Sequence, residues 1–376
     1  MLFLAVLGFL LVKLATLALN LAWFPVLGTR RLTSAQRDTM AGHDTLAGHG
    51  TMAQPGTVSL LVPMRDEAGR LAQFLPALLT QSGVTELIVL DDQSGDGSAA
   101  LAQSILAGSA HARLVSGAAA PPGWVGKTWA CEQLAAQASG ELLVYCDADV
   151  VLAPGAVEAV LGEMAEQRAD VFSVFPRQLT GSLGEALLTP LIEDVLLCFL
   201  PFRLLSMDVP SAATANGSLL VFGRQALAEL GGFSSVRSEI VEDVALARRA
   251  RRAGLRLGLA LGGELVQTRM YTSYRQVVSG LGRGLLAVTG GSRLRLAAAA
   301  GWHLAAYTLP LVAASRRRRW LLPLGLGLAE RLLVGLKCHP RAAWQAILTP
   351  LSPIAFIPVL IQAMRGQQRW KSRTYS

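Results

Sequence analysis

The sequence predicts an α/β fold: a mostly parallel sheet with helices on both faces, flanked by N-terminal and C-terminal transmembrane or interfacial helices. Three observations carry that prediction. Between residues 57 and 269, short apolar runs alternate with helical patterns. The runs are continuously apolar, as strands covered on both faces are. At both ends of the chain, apolar stretches approach the length of a bilayer span.

Composition points the same way. The 376 residues are 52% hydrophobic and 16% charged, against about 25% charged in a soluble domain. The formal charge is +8, with arginine far outnumbering lysine. The basic clusters lie beside apolar segments and lack interleaved aromatics, which favours anionic lipid over nucleic acid as partner. Cys131, Cys146, Cys198 and Cys338 show no metal or redox spacing and are expected as buried thiols of a reducing compartment.

Residues 1–28 are apolar except for Lys13, Thr16 and Asn20, and form the expected N-terminal transmembrane anchor. Arg30, Arg31 and Arg37 follow it, so the positive-inside rule places residue 30 onward in the cytoplasm. Residues 29–56 are expected to be a linker. They hold the near repeat DTMAGH–DTLAGH, whose His43 and His49 fit a polar tether better than a metal site.

In the alternating stretch, 57–269, strands are expected at 57–63, 85–92, 112–117 and 170–176, with a further strand ending at Cys146. Helices are expected at 66–81, 97–107, 127–139 and 154–167. In such sheets ligands bind at the carboxyl ends of the strands. Polar residues cluster at those ends: Arg65-Asp66-Glu67, Asp91-Asp92, and Asp147 with Asp149. On a strand, residues 147 and 149 share one face. Two like charges there call for a cation between them, and a divalent metal takes carboxylate oxygens.

Residues 183–206 are apolar but carry Glu185, Glu193, Asp194, Pro190 and Pro201, which suits an interfacial helix better than a span. An interfacial segment is expected at 270–292. A C-terminal membrane region and basic tail occupy 293–376, with apolar stretches at 296–314, 320–336 and 346–363. Two or three of these cross the bilayer. The arginines at 316–319 conflict with the positive-inside rule if 296–314 crosses fully, so one segment is expected to be re-entrant or in-plane.

Four motifs stand in order: LLVPMRDEAGR (60–70), VLDDQSGDGS (89–98), GWVGKTWAC with YCDAD (123–131 and 145–149), and NGSLLVFG with GGF…EIVEDVALARR (216–249). Together they resemble a membrane-associated family 2 glycosyltransferase with a GT-A, Rossmann-like fold. GWVGKTWAC and the tail RWKSRTY (369–375) resemble the branch that glycosylates hydrophobic acceptors, the hopanoid-associated and carotenoid glycosyltransferases, with ceramide glucosyltransferase more distant. The resemblance covers 57–290 well and the tail weakly. It implies a nucleotide-sugar donor, a lipid acceptor, a place in the inner or plasma membrane as a multi-pass protein, and Mg2+ or Mn2+ as cofactor.

The resemblance also implies roles. Asp147 and Asp149 hold the metal, Asp149 foremost, and the metal holds the donor diphosphate. Asp92 bonds the base or ribose. Asp91 does so too, or caps the turn with Ser94. Glu67 contacts ribose, and Asp66 alternatively caps the next helix. Lys127, at a helix start after a glycine, reaches a phosphate. Trp124 lines the donor pocket or simply packs. Asp243 is the general base for an acceptor hydroxyl, and Glu242 beside it orients the loop or tunes that carboxylate. Acids also suit a helix N-terminus for its own sake. One base without a second carboxylate nucleophile implies inversion. Arg283 faces the diphosphate or a lipid headgroup. The segment RQVVSGLGRG (275–284) lacks the Gln-x-x-Arg-Trp motif of processive relatives, so transfer of a single sugar is expected.

Two other readings compete. A nucleotidyltransferase shares an open α/β sheet and metal aspartates, but its Gly-rich N-terminal signature is missing from VPMRDEAGR. A non-enzymatic membrane scaffold with a decayed transferase domain would be expected to lose carboxylates first, and Asp92, Asp147, Asp149 and Asp243 all stand.

Overall fold

A computed structural model of the chain describes residues 1–28, 57–205, 213–288, 290–365, 368–370 and 373–375. The tether at 29–56, with its two histidines, lies outside them, as do the side chains of the basic tail. The chain forms two compact units, one of residues 25–177 and 205–268, the other of 1–24, 178–204 and 269–376.

The first unit is the α/β body. Its strands are β1 (Val58–Met64), β2 (Glu86–Asp91), β3 (Ala112–Ser116), β4 (Leu142–Cys146), β5 (Val150–Leu152), β6 (Val171–Phe175), β7 (Leu219–Gly223), β8 (Leu257–Leu261) and β9 (Val266–Thr268). Seven of them make one sheet in the order β3-β2-β1-β4-β7-β6-β8. β1 pairs in parallel with β2 and β4, β2 with β3, and β6 with β8. β7 runs antiparallel to both β4 and β6. β5 and β9 pair antiparallel beyond the end of β4.

The helices are α1 (Ala68–Leu79), α2 (Ser98–Leu106), α3 (Gly126–Gln137), α4 (Ala156–Glu166), α5 (Arg224–Glu229) and α6 (Glu242–Arg252). The expected helices at 66–81, 97–107, 127–139 and 154–167 are thus found with ends shifted by one or two residues. Left-handed glycines precede α2 and α4, at Gly97 (φ 89°) and Gly155 (φ 75°). α6 opens on Glu242 and Asp243 and closes on Arg249, Arg251 and Arg252, the charge order its dipole favours. Leu60, Val62, Leu87, Val89, Val144, Phe172, Val174 and Val221 fill the core of the sheet.

The second unit is helical. Three of its helical stretches are long and apolar enough to cross a membrane: Leu2–Trp23, Arg293–Ala314 and Pro340–Met364. Pro340–Leu351 within the last is 3-10 helix, with Pro340 at its start and Pro350 near its end. Lys13, which interrupts the first stretch, is buried. Its Nζ lies 2.9 Å from Asp194 Oδ2 and 2.7 Å from Glu330 Oε1. It also donates to Tyr307 Oη at 2.5 Å, and that hydroxyl donates to Glu330 Oε1 at 2.9 Å. Asp194, Cys198 and Glu330 form a tight ligand-like group, and the lysine ammonium supplies its cation. Asn20 donates to Leu197 O and Leu200 O at 2.8 and 2.9 Å. Glu193 meets His339 Nε2 at 2.8 Å. The acids of 183–206, in helices Leu183–Leu188 and Leu191–Phe199, therefore point inward to partners elsewhere in the unit: Glu185 to Arg269, Glu193 to His339 and Asp194 to Lys13.

Candidate active site

The polar residues of the α/β body gather beyond the ends of β1, β2 and β4. Two loops build the first wall. Asp66 and Gln93 sit in the left-handed region at φ 50° and 59°, a conformation aspartate tolerates better than most residues. Four hydrogen bonds stitch the loops together. Asp66 N donates to Ser94 Oγ (3.0 Å), Gly95 N to Asp66 Oδ1 (2.9 Å), Glu67 N to Ser98 Oγ (2.8 Å) and Ala68 N to Asp96 Oδ2 (3.0 Å). So it is Asp96 that bonds the start of α1, while Asp66 braces the opposite loop. Asp91 accepts the Ser94 N–H with both oxygens at 3.3 Å, the turn-capping arrangement. Asp92 is buried, and Arg65 Nη1 donates to its carbonyl at 2.5 Å and lies 3.5 Å from its Oδ2.

The second wall is the turn Asp147-Ala148-Asp149. Strand periodicity placed the two aspartates on one strand face. The structure corrects this: β4 ends at Cys146, and Val150 N closes a turn onto Asp147 O at 3.1 Å. The turn gives the two carboxylates different neighbours. Asp147 takes Lys127 Nζ at 2.9 Å on each oxygen. Asp149 has Arg70 Nη1 at 3.8 Å. Burial, then Asp147 and Glu67, push the Asp149 carboxyl up to about 6 against the pull of Arg70 and Lys127.

The third wall is the start of α6. Glu242 Oε1 lies 3.2 Å from the same Lys127 Nζ. Asp243 Oδ2 accepts the Gly217 N–H at 2.6 Å, and Oδ1 accepts the Val244 N–H at 2.8 Å. Burial and then Glu242 push Asp243 up to about 7, although Lys127 and the two backbone donors favour the charged form. Lys127 also donates to Gly217 O at 3.3 Å. Burial alone would lower its ammonium, but Asp147 and Glu242 hold it well above its ordinary value.

Lys127, Asp147, Glu242 and Asp243 are thus brought into one cluster, with Asp149 electrostatically coupled to it and Asp92 and Glu67 on the neighbouring loops. Lys127 is directed at carboxylates in this state. Trp124 packs edge-on against Trp129, ring centroids 5.0 Å apart. Arg283 lies in the helix Tyr274–Val288 of the other unit, and its side chain is outside the described residues. Sequence reasoning missed two participants. Arg70 stands three residues after Glu67 on one helical face, a spacing that was open to reading. Gly217 carries no side-chain signal, yet a Cβ there would meet Lys127 Nζ at 3.1 Å, Asp243 Oδ2 at 3.2 Å and Glu242 Oε1 at 3.3 Å.

Asp147 and Asp149 offer hard oxygen ligands, and the Asp149 carboxylate, its side chain 19% exposed, has only the loosely placed Arg70 as a cation in salt-bridge range among the described residues. A hard divalent ion fits that deficit of positive charge.

Residues 59–208 match the family described as Glycosyl transferase family 2. A 4,4'-diaponeurosporenoate glycosyltransferase of Staphylococcus haemolyticus is 26% identical over 226 residues, 59% of each chain. The protein of the same name from Staphylococcus aureus is 26% identical over 245 residues, 64% of each chain. The match therefore spans less than two thirds of these relatives. Among solved structures, the mannosyltransferase PcManGT from Pyrobaculum calidifontis, in complex with GDP-Man and Mn2+, superposes with a TM-score of 0.53 at 18% identity, covering 97% of this chain and 99% of that one. Residues 59–208 thus resemble a family 2 glycosyltransferase domain, and the chain has a GT-A-like fold.

Proposed function

We propose that this protein is an inverting, membrane-bound glycosyltransferase that moves one sugar from a nucleotide-diphosphate sugar to the hydroxyl or carboxyl group of a lipid. One observation carries the reading. Acid pairs from the turn at 147–149 and the helix start at 242–243 meet at a single lysine, with Asp147 2.9 Å and Glu242 3.2 Å from Lys127 Nζ. A carboxylate pair for a diphosphate-bound cation and a carboxylate for the acceptor are what the transfer needs side by side.

Asp149, with Asp147, would hold Mg2+ or Mn2+, which would supply positive charge against the diphosphate of the donor and leaving group. Asp92 and Glu67 would hold base and ribose from the stitched loops, with Asp91 fixing the turn beneath them. Lys127, which contacts Asp147 here, would reach a donor phosphate. Asp243 would take the proton of the acceptor hydroxyl, its raised affinity for protons suiting a base near neutrality. Glu242 sets that affinity through its charge. A single base and direct displacement give inversion. Arg283 would serve the diphosphate or a headgroup at the membrane face. The relatives' name specifies a carotenoid as the compound glycosylated, which supports an apolar acceptor, and the three span-length helices support a multi-pass place in the inner or plasma membrane with the α/β body in the cytoplasm.

The test offers detergent-solubilised full-length protein a panel of nucleotide sugars, Mn2+ or Mg2+, and a total lipid extract. Glycolipid and nucleoside diphosphate are the expected products. Pyrophosphate release would indicate a nucleotidyltransferase instead. Folded protein that neither turns over nor binds nucleotide would indicate a scaffold.

A further inference from the structure

Ser173 is a hydroxyl in the middle of the buried strand β6, whose sequence is otherwise Val-Phe-Val-Phe. A buried hydroxyl needs partners, and this one takes both main-chain groups of a single residue. Asn216 N donates to Ser173 Oγ at 2.7 Å, and Ser173 Oγ donates to Asn216 O at 3.2 Å. The β6–β7 ladder reaches Ser173 opposite Leu220 and goes no further. From there the serine hydroxyl, not a ladder bond, holds the chain of 216–218, which precedes the strand. Asn216 closes that segment on itself, its Oδ1 accepting the Ser218 N–H at 2.9 Å.

Gly217 and Ser218, so fixed, touch the second and third walls and Lys127 with main-chain atoms. Gly217 N–H binds Asp243 Oδ2 at 2.6 Å, Gly217 C=O receives Lys127 at 3.3 Å, and Ser218 C=O receives Asp147 N–H at 2.9 Å. We propose that Ser173 is a positioning residue: through Asn216 and the turn 216–218 it sets the place of the Gly217 N–H, and with it the orientation of the Asp243 carboxylate. This rests on the reading of Asp243 as the base. The charged groups facing Asp243 are Glu242 and Lys127, and its neutral donors are the N–H groups of Gly217 and Val244. Loosening the Gly217 contact removes a bond that favours the charged carboxylate, so the base ionises at higher pH.

The experiment compares Ser173→Ala, Ser173→Thr, Asn216→Ala and Asp243→Asn in the full-length protein. It reads kcat, KM for the donor, the pH profile of kcat/KM, and nucleotide binding in Mn2+. Ser173→Ala and Asn216→Ala are expected to lower kcat about 10- to 100-fold, to leave KM and nucleotide affinity within about twofold, and to move the acid limb of the profile upward. Ser173→Thr, which keeps the hydroxyl, is expected to restore most of kcat. Unchanged kcat and acid limb in folded Ser173→Ala and Asn216→Ala, with Asp243→Asn inactive, would overturn the positioning role alone. Equal losses in nucleotide affinity would overturn it as a general sheet defect. Should Ser173→Ala not fold, Asn216→Ala at its partly exposed site decides by the same readouts. Full turnover by Asp243→Asn would overturn the base reading itself, and the positioning role with it.

Discussion

Replacing Lys127 by methionine removes the ammonium that joins the two acid motifs and keeps most of the side chain's volume. The two contacts, 2.9 Å to Asp147 and 3.2 Å to Glu242, are gross attractions of about 5 kcal/mol each at an effective dielectric near 20. The desolvation of three charges offsets most of that. The side chains of Lys127 and Asp147 are 22% and 27% exposed, so the net loss falls below the range for fully buried pairs, at about 2–3 kcal/mol. For a body of this size that is about 5–10 °C in Tm. The substitution also removes a charge that holds Asp243 down, so the base ionises above its present value of about 7. The sign follows: activity is carried by the ionised form and lost as pH falls through that value, so the variant's acid limb moves up and its deficit shrinks at pH 9. Thermal unfolding without divalent cation and the pH profile of kcat/KM are the assays. An unchanged Tm together with an unmoved acid limb would refute the electrostatic coupling drawn here between Lys127 and the two acids.

Further outcomes follow from single contacts. Gly217→Ala has no positive-φ penalty, but its methyl would push on Lys127, Asp243 and Glu242 at 3.1–3.3 Å; kcat is expected to fall about 10- to 100-fold with a stability loss near 1 kcal/mol, measured by steady-state kinetics and thermal unfolding. Asp149 carries a folded value of about 6 against an ordinary 3.8, so the native state keeps a proton the unfolded chain has lost. Its penalty, up to about 3 kcal/mol, is absent below pH 4 and complete above pH 6. Asp149→Asn is therefore expected to raise Tm at pH 8 in the absence of metal and not at pH 4, and Mn2+ affinity of the parent protein to weaken below pH 6. In the helical unit, Lys13→Met leaves Asp194 and Glu330 buried without their ammonium and is expected to cost about 3–5 kcal/mol, with recovery when Asp194→Asn and Glu330→Gln are added, read by denaturation in detergent.

The alternating body was legible because β1, β2, β4 and β6 are continuous apolar runs with turn residues between them. β7 was harder. Leu219–Gly223 is equally apolar, but that it slots antiparallel between β4 and β6 depends on partners nearly 80 and 50 residues away. Asp147 and Asp149 were found by their spacing, and the reason given was wrong in geometry, since the chain leaves the strand one residue before them. The lysine motif located Lys127 but not its partners, because Glu242 is 115 residues further on and only the folded sheet brings it near. Gly217 contributes through main-chain atoms, which leave no mark on side-chain pattern, and the Ser173 hydroxyl has its partner 43 residues further on. Glu193, Asp194 and Glu330 weakened the case for apolar spans when read singly. Each has a partner in another helix, and such pairing is invisible along one chain.

The central claim is that the two acid motifs do separable work. The measurement that tests it most directly is glycolipid formation and Mn2+-dependent nucleotide binding in Asp149→Asn and Asp243→Asn beside the parent protein. The account predicts that Asp149→Asn loses both, while Asp243→Asn binds nucleotide as the parent does and transfers no sugar. Transfer persisting in Asp243→Asn, or nucleotide binding in Mn2+ unaffected by Asp149→Asn, would contradict it.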